Sequence, residues 1–253
     1  MGTRERYEHG VFCYVELASD DAAAAKAFFE AVLGWTYDEE PDIEYFTARR
    51  DGKRVGAVFP AQTQPGWLNY VTVEDLDAVL EQVDDLGGTV EQEPYDVKEW
   101  GRAAVVRDPS GASLSLWQPK ENHGAELVNA PGSLTWNDLQ TTDVDAAATF
   151  YAELLGWEIG DVEGAPDERK GIKVGDAMNG GIAKLADAAA EAGVPSHWLP
   201  IFAVEDVDQA VTAADEAGGR ALAPGMDIPA GRMAVLADPQ GVPFAVFAGE
   251  LDE

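Results

Sequence analysis

Polar and apolar residues alternate along VFCYVEL (residues 11–17), a pattern that predicts a β-strand ending at the turn residues Ser19, Asp20 and Asp21. The period then changes. AAAAKAFFEAVLG carries apolar residues at helical spacing, with Asp20 or Asp21 set to cap its start and Gly34 to cap its end. Extended segments follow at EYFTARR (44–50) and RVGAVFPA (54–61), separated by a turn at Asp51 and Gly52. The cycle restarts at WLNYVTV (67–73), with a helix over DLDAVLEQVDDLG and strands at GRAAVVRD and ASLSLWQ. The predicted unit is strand–helix–strand–strand–strand, and it occurs twice before residue 120. Helices gathered on one side of mixed or antiparallel strands point to the α+β class.

The whole pattern then repeats. FFEAVLGW (28–35) returns as FYAELLGW (150–157), VEDLDAVLEQVDDLGG (73–88) as VEDVDQAVTAADEAGG (204–219), and GRAAVVRDPSG (101–111) as GRMAVLADPQG (231–241). Three matches in conserved order imply two homologous halves, residues 8–119 and 132–248, joined by a polar linker at residues 120–131. The chain therefore reads as four βαβββ modules.

With VELASDDAAAAKAFFEAVLGW, LQTTDVDAAATFYAELLGW, the two VED(L/V)D helix starts and the DPSG and DPQG turns, this organisation resembles the vicinal oxygen chelate superfamily: glyoxalase I, bleomycin-resistance proteins and extradiol dioxygenases. More narrowly, it is similar to two-repeat bacterial glyoxalase-like proteins often labelled hydroxylases. The resemblance implies the glyoxalase-like fold, with modules paired into two open-barrel half-domains around cavities, and in many members a divalent metal. It also places the metal ligands. Aligned on the family pattern, those positions hold Phe12, Leu134, Leu68, Leu199, Ser115 and Ala245, none of them a ligand for a family-type centre. His9, His123 and His197 are isolated and match no family ligand. No metal centre and no cofactor are therefore expected.

Strand alternation assigns the cavity-facing side chains. Phe12, Tyr14 and Glu16 face inward in the first strand, with Cys13, Val15 and Leu17 against the helix. Leu134, Trp136 and Asp138 match them in the second half. Ser113, Ser115, Trp117, Leu68, Tyr70 and Thr72 complete the first cavity, and Leu199, Ile201 and Phe247 contribute to the second. Apolar walls with a few polar groups suit a small ligand. Glu16 and Asp138 could act as general base or acid, contact a ligand, bond to Tyr14, an arginine or a backbone amide, or reach solvent. Arg102 and Arg232 could pair with an acidic ligand group or these carboxylates, or serve the fold. Trp35 and Trp157 are expected in the core, and Trp67, Trp100 and Trp198 are candidates for a cavity mouth.

Composition narrows the partners. The 253 residues carry 17 Lys and Arg against 47 Asp and Glu, a net charge of −30. Such a surface repels nucleic acid and anionic membranes. The acid is spread along the chain, as an acidic soluble protein or one adapted to a salt-rich cytoplasm would have it. The lone Cys13 excludes an internal disulfide. The start, MGTRERYEHG, has no apolar run, and no segment reaches the ~18 apolar residues of a membrane span. A cytoplasmic monomer or homodimer is expected. GxSxG, P-loop, HExxH and a strand-linked GxGxxG are all absent. The leading expectation is a metal-independent binder of a small, partly apolar molecule. The rival is an enzyme of the superfamily (lyase, isomerase, hydroxylase or dioxygenase type) using Glu16, Asp138 or an atypical metal site, and a third reading is an interaction platform with vestigial cavities.

Overall fold

The computed structural model describes residues 2–41, 43–162 and 168–251. After β1 (Gly2–Thr3), the first module runs β2 (Phe12–Ser19), α1 (Ala22–Leu33), β3 (Thr36–Glu39), β4 (Phe46–Arg50) and β5 (Lys53–Pro60). The second runs β6 (Gly66–Thr72), α2 (Leu76–Leu80), β7 (Thr89–Val97), β8 (Gly101–Arg107) and β9 (Ser113–Pro119). The connecting strand β10 (Leu127–Val128) pairs with β1. The third module is β11 (Leu134–Thr141), α3 (Val144–Leu155), β12 (Glu158–Asp161), β13 (Arg169–Val174) and β14 (Ala177–Lys184). A short α4 (Asp187–Glu191) precedes the fourth: β15 (His197–Ala203), α5 (Val207–Glu216), β16 (Arg220–Ile228), β17 (Gly231–Ala237) and β18 (Pro243–Gly249). No helix among the described residues is long and apolar enough to cross a membrane.

Each half forms one eight-stranded sheet, ordered β3-β4-β5-β2-β6-β9-β8-β7 and β12-β13-β14-β11-β15-β18-β17-β16. Modules meet at the antiparallel pairs β2–β6 and β11–β15, each flanked by parallel pairings. The architecture is the expected α+β glyoxalase-like fold.

The caps follow the repeats. Asp21, rather than Asp20, accepts from the Ala24 amide, and Asp143 accepts from that of Ala146. Gly34 and Gly156 close α1 and α3 in the left-handed conformation. The helix expected over DLDAVLEQVDDLG stops after one turn and a half at Leu80. Gln82 and Val83 then donate to carbonyls three residues back, the tighter 3₁₀ pattern.

Helices from the two halves share their cores. Phe28, Phe29 and Leu33 of α1 pack with Val207, Ala210 and Ala214 of α5 in one cluster, between Val15 and Val58 of one sheet and Phe202 and Phe244 of the other. In a second cluster, Leu76 and Val79 of α2 pack with Phe150, Tyr151 and Leu154 of α3. The LGW tryptophans cross over: Trp35 Nε1 donates to the Gly132 carbonyl and Trp157 Nε1 to that of Gly10, each at 2.7 Å. Both indoles are buried, as expected.

Candidate functional site

The first sheet curls around a cavity of about 910 Å³. Of the expected site residues, Tyr14, Glu16, Leu68, Tyr70, Ser115 and Trp117 come together on its wall, with Ser113, Trp67 and Trp100. The wall also takes Tyr45, just ahead of β4, Phe59 from β5 and Tyr95 from β7. Tyr45 stacks beside Phe59, with ring centroids 6.2 Å apart, and Trp117 meets Tyr70 edge-on.

Glu16 sits at the centre of these rings. Tyr45 Oη donates to its Oε1 at 2.5 Å and Tyr70 Oη to its Oε2 at 2.7 Å. Tyr14 Oη donates instead to the Gly56 carbonyl. Burial raises the Glu16 carboxyl above its ordinary 4.5, opposed by the two phenol donors. Burial, then the Glu16 charge, holds the Tyr45 and Tyr70 hydroxyls well above 10, so they remain protonated donors. The charges nearer the rim are paired within the protein: Glu91 with Arg107, Asp96 with Lys120, and Lys98 with Glu40.

Phe12 and Leu134 lie elsewhere, and Thr72 is buried and does not line the cavity. Phe12 packs on Trp157 and Trp198, on the helix side of the sheet. Leu134 lies in the α1–α5 cluster. The cause is the same in both halves. The pairing of β2 with β6 slips between Phe12 and Tyr14, and that of β11 with β15 between Leu134 and Trp136. Such a bulge inserts one residue and reverses the facing beyond it. Cys13 is correspondingly turned from the helix to the cavity side, against Tyr70 and Trp117, where burial pushes its thiol up to about 12. Trp198, a candidate for the mouth, is buried and bonds to the Tyr151 hydroxyl.

In the second half, Asp138 is 4% exposed; Arg169 Nη2 lies 2.9 Å from both its oxygens and Trp136 Nε1 donates to it at 2.8 Å. Leu199, Ile201 and Ala245 pack beside them with Trp136 and Phe247 in an apolar cluster. Arg102 and Arg232 reach neither carboxylate. Each instead braces a helix start, Arg102 on Asp77 and Arg232 on Asp208. The guanidinium beside Asp77 holds that carboxyl below the ordinary range.

Tyr45, Phe59 and Tyr95 escaped the sequence reading. Tyr45, just ahead of β4, and Phe59, in β5, belong to segments that carried no repeat word. Tyr95 belongs to β7, whose two register slips erase any alternation. A divalent metal does not suit this donor set. Glu16 is one carboxylate with both oxygens engaged by phenols, beside Leu68, Ser115 and Trp117. No group of three or more His, Cys, Asp or Glu converges among the described residues.

Residues 12–116 match the glyoxalase/bleomycin resistance protein/dioxygenase superfamily, and residues 136–247 match the glyoxalase-like domain. The chain is 38% identical over 258 residues to a Mycobacterium tuberculosis protein named "Putative glyoxylase CFP32", covering 97% of each. It is 35% identical over 263 residues to the anthracycline biosynthesis protein DnrV of Streptomyces peucetius, covering 95% of this chain and 94% of that one. Among solved structures, the Mn(II)-bound glyoxalase from Novosphingobium aromaticivorans aligns with a TM-score of 0.70 at 17% identity, over 97% of this chain and 83% of that one. The 2,3-dioxygenase LapB from Pseudomonas sp. KL28 aligns at 0.64, with 17% identity, over 98% and 96%.

Proposed function

The chain belongs to the glyoxalase/bleomycin resistance protein/dioxygenase superfamily, and from that premise we propose that its first half binds a small, partly aromatic molecule without a metal. One observation carries the reading: an aromatic-walled cavity of about 910 Å³ whose floor holds a single carboxylate seated on two phenols. Flat ligand rings would lie against Trp100, Tyr95 and Tyr45, where offset and edge contacts contribute beyond simple burial. Leu68 and Trp117 would exclude water, and Ser113 and Ser115 offer hydroxyls for orientation. The names of the Streptomyces relatives tie them to anthracycline biosynthesis, and a fused-ring aromatic has the shape these walls accommodate. Glu16 would act as an electrostatic anchor.

The test is titration of chelator-treated protein with 2-naphthylmethanol, an uncharged fused-ring probe, read by tryptophan fluorescence and by thermal shift. Saturable binding, unchanged by added Mn²⁺ or Zn²⁺ and abolished by Leu68→Trp, is expected, with the melting temperature rising by mass action. Binding only after metal addition, or no saturable binding by this probe or its charged analogues, would overturn the reading.

A further inference from the structure

The two halves place a carboxylate at the same position of the same strand, yet balance it differently. In the first sheet Glu16 and Thr47 both pair with Ala57; in the second, Asp138 and Gly171 both pair with Gly181. Tyr45 lies two residues before Thr47 and Arg169 two residues before Gly171, so Tyr45 and Arg169 are structural equivalents. Each bonds to its carboxylate. In the second half the protein supplies the countercharge. In the first half a phenol stands where the guanidinium would be, and the space in front of it is open cavity. A carboxylate held by neutral donors among aromatic rings, with the rim charges already paired, lacks one positive charge.

We propose that the first-half cavity selects an organic cation, an aromatic or alkyl ammonium whose charged nitrogen takes beside Glu16 the place that Arg169 holds beside Asp138. The proposal rests on the binding reading above and names its ligand class. The wall already accommodates such a contact. Lys98 Nζ lies 4.5 Å from the centroid of the Trp100 ring, an ammonium on an aromatic face. Trp100 in turn neighbours Tyr45, which leads to Glu16. The raised Glu16 carboxyl fits the same deficit, because a bound cation would favour its ionised form. Cation binding should then release a proton and tighten as pH rises through the Glu16 titration. The titratable groups facing Glu16 do not share that range. Tyr14 on β2, Tyr45 ahead of β4, Tyr70 on β6 and Tyr95 on β7 are all raised above 10, and Cys13 lies near 12. Glu91, Asp96 and Lys98 stand further out, each in an ion pair.

The test compares three probes with one ring system: 2-naphthylmethylammonium, 2-naphthylmethanol and 2-naphthoate. The expected result is cation binding about tenfold tighter than the alcohol at pH 7.5, with the anion weakest. The preference should survive about 0.5 M NaCl, which screens the general surface charge. It should fall to about twofold in Glu16→Gln, the neutral isostere. An exposed control, Asp187→Asn, should leave it unchanged. Should Glu16→Gln fail to fold, the wild-type pH series decides: cation affinity must rise with pH above 4.5 while alcohol affinity stays flat. Equal binding of cation and alcohol overturns this inference and leaves the binding reading standing. Absence of binding by all three overturns both.

Discussion

At the scale of single residues, the contrast between Asp138 and Glu16 separates what a buried carboxylate contributes from what it awaits. Asp138 is almost wholly enclosed, and Arg169 has about a third of its side chain open to solvent. Removing one partner of a buried pair leaves an uncompensated charge, typically a cost of 3–5 kcal/mol, reduced where water reaches the site. Arg169→Met should therefore destabilise by about 2 kcal/mol, lowering the melting temperature by roughly 5 °C in a chain of this size. Asp138→Asn in that background should restore part of the loss, because the orphaned charge is gone. A drop under about 1 °C in a thermal melt would mean that the pair contributes little to the fold. Glu16 lines the first cavity, whereas Asp138 lies enclosed between Arg169 and Trp136. Alternation could not name their partners, because Tyr45 stands just ahead of β4 and Arg169 opens β13, each with a further strand between it and its carboxylate's own, a placement set only on folding. The same limit explains Phe12 and Leu134. A bulge adds one residue to the count without any mark in composition, and every face beyond it reverses.

At the scale of elements, the repeated words were legible because each performs a local task twice. Asp at the helix start, Gly at its end and the DPxG turn are short-range chemistry, and Asp108 and Asp238 accept from the amides two and four residues on in the same way. The paired glycines of VEDLDAVLEQVDDLGG and its copy divide two tasks between them. Gly87 and Gly218 turn the chain in the left-handed conformation. Gly88 and Gly219 instead lie under an aromatic ring from the opposite half. A Cβ at Gly88 would stand 2.6 Å from Phe150 Cε2 and 2.8 Å from the Arg107 carbonyl, and one at Gly219 2.6 Å from Phe28 Cε2. Both neighbours are buried in a packed core and cannot retreat. Gly88→Ala and Gly219→Ala should each cost about 2 kcal/mol by overpacking in a denaturant melt. Gly160→Ala, with nothing within 4 Å, should stay within about 0.5 kcal/mol. Equal effects at all three positions would show that the loss came from glycine chemistry and not from the ring contact. The wall of the cavity was less legible than the helices, since β7 combines polar composition with two slips and offers no period to read.

At the scale of the whole molecule, the sheets follow the repeat but the cores do not. Each sheet is built within one half, whereas α1 packs on α5 and α2 on α3 across the division. Trp35 and Trp157 each bond to a carbonyl of the other half. Severing the chain between the halves would therefore expose both apolar clusters at once, a surface a lone half cannot cover. Charge opposes their reunion. Residues 1–131 carry 11 Lys and Arg against 25 Asp and Glu, and residues 132–253 carry 6 against 22. Both fragments are strongly negative, so burial draws them together while Coulomb repulsion holds them apart. Salt weakens only the second effect, since the Debye length falls from about 10 Å at 0.1 M to about 3 Å at 1 M. Fragments 1–131 and 132–253, produced separately, should thus be aggregated or only loosely folded alone. Mixed, they should recover a one-to-one complex with a cooperative melt, and its yield should rise steeply between about 0.1 and 1 M NaCl. Sedimentation and thermal melts read both effects. Two fragments that fold independently and ignore each other at every salt concentration would show that the shared helix layer contributes nothing to stability. A complex that forms equally well at low salt would show that the acidic surface lies too far from the seam for the halves to sense each other's charge.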